Sequence, residues 1–310
     1  MRKYHPVLTG FTLVLFSLSA QAQTPDSAKR FFQHGQKSFA AGNLEVAFED
    51  YSRAIEISSR LDSRKTAPAD LLNAANSVDH VTVIDPFTAN AYASRGVVRY
   101  QQHYLDDAMA DFNAAIRISP RLAEAYVGRG VIYRVKGNLE SAGGDFDRAI
   151  SIDPRLSEAY TDRADVRIEK GDLDGALTDL DRALKMKPDV AETHSLLGYV
   201  RLLKNENDPA IANFNRAVEL DPRLASAYHG RGTARMKRGE IEGAIADFTR
   251  ALELNPDLPN TYLNRGLALM LLGKDAKAQK DFERCVALEP SLKVELNNRI
   301  EKVKQLRANK

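Results

Sequence analysis

Seven prolines recur at a spacing of 34 residues along this chain of 310 residues. A fixed period of that length indicates one supersecondary unit repeated many times, in which each copy contacts mainly its neighbours. The product is a solenoid that grows by adding units, so we expect one elongated domain and a binding function rather than catalysis. The prolines are Pro86, Pro120, Pro154, Pro188, Pro222, Pro256 and Pro290.

Six full blocks of 34 residues result when each of the last six prolines is placed at position 32. Positions 4, 8 and 11 have the spacing of one helix face, as do positions 20, 24 and 27, so every block predicts two helices. Small residues at positions 8, 20 and 27 let the two helix backbones approach closely. The blocks are 89–122, 123–156, 157–190, 191–224, 225–258 and 259–292. Position 4 holds Tyr92, Tyr126, Tyr160, His194, Tyr228 and Tyr262, and position 24 holds Phe112, Phe146, Leu180, Phe214, Phe248 and Phe282.

Position 15 predicts the turn between the two helices of each block. Such a turn often needs a residue with φ > 0, which glycine adopts freely and which Asn and His tolerate better than most residues. The proline at position 32 cannot continue a helix and therefore ends the second one. Position 15 holds His103, Gly137, Gly171, Asn205, Gly239 and Gly273.

The repeated pattern resembles that of the tetratricopeptide repeat (TPR) family. That family has Trp or Tyr at position 4, Leu at 7, Gly at 8, Tyr at 11, Ala at 20, Phe at 24, Ala at 27 and Pro at 32. In this chain Arg usually replaces Leu at position 7, and Tyr133 alone represents Tyr at position 11. The resemblance implies an all-α solenoid of helix-turn-helix units, wound as a right-handed superhelix, with a C-terminal capping helix.

Three segments flank the six blocks. A weaker repeat covers residues 28–61, where Gly35, Gly42 and Tyr51 stand at positions 8, 15 and 24. Residues 62–88 break the rhythm, and we interpret them as an irregular helical half-repeat that ends at Pro86 and acts as a spacer. Residues 293–310 carry an apolar stripe at near-helical spacing, which predicts a capping helix and a tail because a solenoid needs a cap with one apolar face.

The N-terminus predicts a secretory signal peptide over residues 1–22. Arg2 and Lys3 precede an apolar run from Val7 to Ala20, and Ala20-Gln21-Ala22 fits the pattern of a cleavage site. A retained membrane anchor is the alternative, but the run is shorter than the ~20 residues that a spanning helix needs. After cleavage we expect no membrane span and a location in the periplasm of a Gram-negative bacterium.

Composition and motifs argue against several functional classes. The chain has 44 basic and 42 acidic residues. Loss of the two basic residues of the signal balances the charges, so nucleic acid is not an expected partner. No phosphate-binding loop, metalloprotease motif or nucleophile elbow occurs, and we expect no enzyme activity and no cofactor.

The single cysteine, Cys285, excludes an intramolecular disulfide and fills a small-residue position. His194 and His229 stand in adjacent blocks but lack an evident third metal ligand.

Arginine at position 7 and aspartate at position 23 recur together. Both change in the block 191–224, where Leu197 and Asn213 take their places. We therefore predict a structural ion pair between the two helices of a repeat; a ladder of arginines that binds an anionic ligand is the alternative. The predicted pairs are Arg95–Asp111, Arg129–Asp145, Arg163–Asp179, Arg231–Asp247 and Arg265–Asp281.

The resemblance also implies which side chains face a concave groove, because positions 2, 5, 9, 12 and 13 of the first helix tend to do so in the family. The candidate groove residues are Tyr100, Val131, Arg134, Tyr199, Leu202, His229, Met236, Leu263, Leu267 and Met270, and Asp165 occupies one of the same positions. The apolar C-terminal end of this set is either a partner site or a surface covered by the cap.

We therefore predict a scaffold that binds a protein or peptide segment in its groove. The alternative is a structural subunit, or a self-associating spacer, of an envelope assembly or secretion complex.

Overall fold

The computed structural model describes residues 25–65 and 86–308, and these residues form helices joined by short turns, with no strand among them. The predicted signal peptide lies outside the described residues. No helix in the described ranges is both long and apolar enough to cross a membrane. The helices are α1 (Pro25–Ala40), α2 (Leu44–Lys65), α3 (Pro86–Gln101), α4 (Leu105–Ile118), α5 (Ala123–Val135), α6 (Leu139–Ile152), α7 (Ser157–Glu169), α8 (Leu173–Met186), α9 (Ala191–Leu203), α10 (Asn207–Leu220), α11 (Ala225–Lys237), α12 (Ile241–Leu254), α13 (Pro259–Leu271), α14 (Asp275–Leu288) and α15 (Lys293–Ala308).

The helices belong to two compact units, which divide within α7 between Val166 and Arg167. In each unit, consecutive helices pack in pairs, and the second helix of a pair packs against the first helix of the next. This is the all-α solenoid that the period predicts.

The residues at position 15 adopt the positive φ that was predicted for the turn between the two helices of a repeat. The backbone φ there is +79° at Gly137, +67° at His103 and +61° at Asn205. Two backbone hydrogen bonds close the turn after α5, from Gly137 N to the Arg134 oxygen and from Asn138 N to the Tyr133 oxygen, each 2.9 Å long. The chain therefore reverses within a few residues and brings the two helices of a repeat side by side.

Glycine at position 8 is needed because an aromatic ring occupies the space beside it. A Cβ atom at Gly130, at position 8, would lie 2.7 Å from the Phe146 ring, and one at Gly128, at position 6, would lie 2.3 Å from the Phe112 ring. Both rings are fully buried. The same two glycines thus let α5 approach the second helix of its own repeat and that of the preceding one.

Proline at position 32 ends the second helix, as predicted. In each of the six blocks the second helix stops two residues before the proline, as α4 does at Ile118 before Pro120. Pro86 differs, because it is the first residue of α3, a position that proline favours. Residues 66–85, most of the predicted half-repeat, lie outside the described residues.

The repeat at 28–61 consists of α1 and α2, and its core continues into α3. Phe32, Tyr51 and Ala54 are buried together with Ala91 and Val98. Burial raises the pKa of Tyr51 to about 12. This first repeat and the regular array are therefore in direct contact, although 62–88 separates them in sequence.

The C-terminal helix α15 covers the last repeat. Leu296 and Val303 are buried against Leu263, Leu267 and Phe282, and Ile300 packs at the edge of the same cluster. The apolar stripe seen in the sequence is thus the face that closes the solenoid.

Candidate functional site

The arginine at position 7 forms a bidentate ion pair with the buried aspartate at position 23. Nε and Nη2 of Arg129 donate to the two carboxylate oxygens of Asp145, both at 2.7 Å. Three other predicted pairs have the same geometry, at 3.0 and 2.7 Å for Arg95–Asp111, 3.0 and 2.7 Å for Arg231–Asp247, and 2.8 and 2.7 Å for Arg265–Asp281. Arg163 and Asp179 belong to different units, and the pair between them stays a prediction.

The same arginines also contact the preceding repeat. Nη1 of Arg129 donates to Asn113 at 2.9 Å, and Nη1 of Arg231 donates to Asn215 at 2.9 Å. In the first unit, Arg163 likewise reaches Asp147, at 2.6 Å. These guanidinium groups are occupied by the protein itself, so their arrangement favours a structural role over a ladder that binds an anionic ligand.

A second arginine, at position 11, pairs with the aspartate at position 23 in three repeats. Nη1 of Arg99 lies 2.8 Å from Asp111, that of Arg167 2.8 Å from Asp179, and that of Arg235 2.7 Å from Asp247. The sequence reasoning missed these contacts because it compared position 11 with the tyrosine of the family pattern. Arg at position 11 in four of the six blocks was the available signal.

The block 191–224 replaces the whole arrangement with other contacts. Leu197 is buried where the arginine would lie, and Asn213 donates to the Pro209 carbonyl oxygen at 2.8 Å. Arg201, at position 11, retains only a 3.5 Å contact with Glu206. His194 fills the tyrosine slot, since its Nε2 lies 2.8 Å from the Pro188 oxygen, as the Tyr126 hydroxyl lies 3.2 Å from the Pro120 oxygen.

His229 makes a contact of its own rather than pairing with His194. Its Nδ1 lies 2.8 Å from the Thr261 hydroxyl, and its ring packs on Phe248 at a centroid distance of 5.8 Å. Within the described ranges, no group of three His, Cys, Asp or Glu side chains could hold a metal ion.

The predicted apolar end of the groove is buried. Leu263 and Leu267 are 0% and 1% exposed, and Met270 is also buried because α15 packs over the last repeat. Leu202 is buried too, in the core that α9 shares with α10 and α11. These four residues are therefore not available to line a groove. The cap covers the C-terminal surface, which is the second of the two alternatives that the sequence left open.

The other candidates remain partly accessible. Tyr199, His229 and Met236 are half-buried in the second unit, and Tyr100, Val131 and Arg134 are half-buried in the first. The three in the first unit come from two consecutive first helices, α3 and α5, and the next first helix adds two acidic side chains beside them.

Asp162 and Asp165 of α7 complete this surface, which we call the first-unit groove patch together with Tyr100, Val131 and Arg134. Nη2 of Arg134 lies 3.6 Å from an Asp165 oxygen. Burial, reinforced by the Asp165 charge and opposed by Arg134, raises the pKa of Asp162 to about 7. Burial also raises the pKa of Tyr100, whose phenol senses the charges of Arg134 and Asp162.

Sequence reasoning found four members of the patch and missed Asp162. Position 6 was not among the groove positions taken from the family, but Asp162 stands three residues before Asp165 and therefore on the same helix face. The patch combines an aromatic ring, an aliphatic side chain, a guanidinium and two carboxyl groups, which suits contact with another polypeptide better than covalent chemistry.

Comparison with known proteins agrees with this architecture. Models described as tetratricopeptide repeat match residues 95–156, 161–225 and 259–292, and one described as TPR repeat matches residues 232–273. These matches together cover more than half of the chain. The fold is that of a helical-repeat protein, and the chain belongs to the tetratricopeptide repeat family.

Several solved structures share the fold. A tetratricopeptide repeat protein from Parabacteroides merdae is 18% identical, with a TM-score of 0.58 over 90% of this chain and 99% of that chain. PilF of Pseudomonas aeruginosa is 17% identical, with a TM-score of 0.60 over 72% and 97%. A chain of the APC/C hetero-tetramer Cut9–Hcn1 is 14% identical, with a TM-score of 0.63 over 84% and 55%. No curated protein sequence matched the chain.

Proposed function

We propose that this protein is a non-enzymatic scaffold, exported to the periplasm, that binds a segment of a partner protein on the first-unit groove patch. The TPR fold fits a protein-binding scaffold. The observation that supports this particular site is the convergence of α3, α5 and α7, which bring Tyr100, Arg134 and Asp162 within electrostatic reach of one another on a half-buried surface.

The chemistry of the patch suits a short polypeptide segment. Tyr100 and Val131 offer apolar contact area, whereas Arg134, Asp162 and Asp165 offer donors and acceptors that select orientation. With one cation and two carboxyl groups, the patch favours a segment that carries apolar side chains and a hydrogen-bond donor. Helical and extended segments both bind repeat surfaces of this kind.

Export to the periplasm rests on the N-terminal sequence. The basic start, the apolar run from Val7 to Ala20 and the small residues Ala20 and Ala22 support it.

A peptide selection tests the proposed site. Peptides selected from a random display library on the wild-type protein would be measured by fluorescence polarisation against Val131→Arg, which blocks the patch. The matched control is Ala110→Arg, an exposed position on the second helix α4. We expect Val131→Arg to weaken binding at least tenfold, a loss of about 1.4 kcal/mol, and Ala110→Arg to leave it unchanged. Equal affinity for both variants and the wild type would refute the site.

A further inference from the structure

Two repeat positions face each other on the outer edge of successive repeats. In the second unit, Nη2 of Arg216 at position 26 lies 2.6 Å from Asp189, which is at position 33 of the preceding block. Arg284 and Asp257 occupy the same two positions two repeats further along the chain, and they approach to 3.4 Å. A side chain at position 26 thus reaches one at position 33 of the preceding repeat.

In the first unit these facing positions both hold arginine. Arg148 of α6 stands at position 26 and Arg121, just after α4, stands at position 33 of the preceding block. Both side chains are exposed. The repeat geometry that joins Arg216 to Asp189 therefore places two guanidinium groups side by side, which is unfavourable unless an anion lies between them.

Among the side chains that the structure describes, residues 26–60 and 87–308, no carboxylate forms an ion pair with Arg121 or Arg148. The acidic neighbours are engaged elsewhere, because Asp147 pairs with Arg163 at 2.6 Å and Asp153 accepts the backbone N–H of Arg155 at 2.9 Å. Glu124, in the first turn of α5, is exposed and forms no ion pair with Arg121.

The second unit provides the comparison. Arg250, at position 26, also stands opposite an arginine at position 33, Arg223. Glu253 neutralises the charge of Arg250 at a distance of 3.0 Å. The position equivalent to Glu253 in α6 is Ser151, which carries no charge. An exposed third arginine, Arg117, lies in the last turn of α4. A cation there is favourable to the helix dipole, which accounts for Arg117 but not for the facing pair.

We propose that Arg117, Arg121 and Arg148, which we call the arginine edge, form a second interaction surface that binds an acidic, Asp/Glu-rich segment of a partner protein. A carboxylate placed between Arg121 and Arg148 accepts charge-assisted hydrogen bonds from both guanidinium groups. It thereby does for the first unit what Asp189 does for the second. Neither the last turn of α4 nor α6 exposes a large apolar side chain, so the edge lacks the apolar anchor that favours insertion into a membrane.

The second unit also supplies the test variant. Arg121→Asp reproduces the pairing of Arg216 with Asp189 and so removes the site while giving Arg148 an internal partner. Arg223→Asp makes the same charge change at the equivalent position of the second unit. Arg148→Gln is a second variant of the edge that introduces no new charge. Thermal unfolding by circular dichroism would establish that all three variants are folded.

Binding is measured on the full chain by fluorescence polarisation with a labelled decapeptide of alternating Glu and Gly. We expect the wild type and Arg223→Asp to bind within twofold of each other, and Arg121→Asp and Arg148→Gln to bind at least tenfold more weakly. Equal binding by all variants, or equal loss in Arg121→Asp and Arg223→Asp, would overturn the proposal. Binding to phosphatidylglycerol vesicles but not to the peptide would also overturn it, in favour of a lipid surface.

Discussion

The arginine at position 7 ties three helices together, as Arg231 illustrates. The guanidinium of Arg231 forms an ion pair with Asp247 of its own repeat and donates a hydrogen bond to Asn215 of the preceding one. It also lies 5.3 Å from the centre of the Tyr228 ring. The sequence revealed the pair with Asp247, because the Arg and the Asp are both replaced in block 191–224. It did not reveal the contact with Asn215, because position 25 varies among Asn, Asp, Thr and Glu, each of which can accept the same hydrogen bond.

Asp247→Asn should destabilise the protein by about 2–3 kcal/mol, since it leaves Arg231 and Arg235 without their shared charge in a largely buried site. Guanidinium unfolding followed by circular dichroism measures the loss. The control is Asp257→Asn, which breaks an exposed ion pair and should cost under about 0.5 kcal/mol. Equal stability of Asp247→Asn and the wild type would mean that the pair contributes nothing to the fold.

Asp162 should make stability depend on pH, because its pKa is raised from 3.8 to about 7 in the folded state. The folded protein then keeps a proton that the unfolded chain releases. The contribution of Asp162 to stability is therefore fully present below pH 3.8 and is lost as the pH rises through 7.

Asp162→Asn should remove that dependence. We expect the melting temperature of the wild type, relative to this variant, to fall between pH 4 and pH 7. Asp181→Asn, a change at an exposed site, provides the control and should keep the wild-type slope. Parallel curves for Asp162→Asn and the wild type across this range would show that the carboxyl group is not held in its neutral form.

At the scale of the element, local rules were sufficient to predict the helices but not which of their faces are covered. Position 15 predicted the turns because φ > 0 is a property of one residue, and proline likewise fixed where each second helix stops. The sequence left open whether Leu263 and Leu267 line a partner site or are covered, because their accessibility depends on α15, about 30 residues further along the chain. The apolar stripe of that helix predicted a cap, but it did not specify how much of the groove the cap would cover.

Leu296→Ala should destabilise the last repeat by about 3 kcal/mol, because it opens a cavity between α15 and the buried side chains of α13. Leu306→Ala, at an exposed position of the same helix, should change stability by less than about 0.5 kcal/mol. Hydrogen exchange measured by mass spectrometry would locate the effect, with faster exchange expected in α13 and α14. Unchanged exchange in those helices would contradict the capping role of α15.

For the whole molecule, basic and acidic residues are nearly equal in number but are unevenly distributed over the surface. The chain has 44 basic and 42 acidic residues, yet within the first unit the groove patch carries two carboxyl groups against one arginine, and the arginine edge carries three cations. Net charge alone argued only against nucleic acid as a partner. The repeat register, which sets the neighbours of each charged side chain, is what separates two surfaces of different chemistry.

The export of the molecule can be tested on the intact chain. Expressed in a Gram-negative host, the protein should reach the periplasm and begin at Gln23, because Ala20 and Ala22 fit the small-residue positions of a signal-peptide cleavage site. Intact-mass spectrometry of the osmotic-shock fraction measures both outcomes. Ala22→Arg should block cleavage and leave the precursor with the membrane fraction, whereas Gln23→Arg leaves both small residues in place and should still be exported. Recovery of the uncleaved wild-type chain from the cytoplasm would refute export, and with it the periplasmic setting of the proposed scaffold.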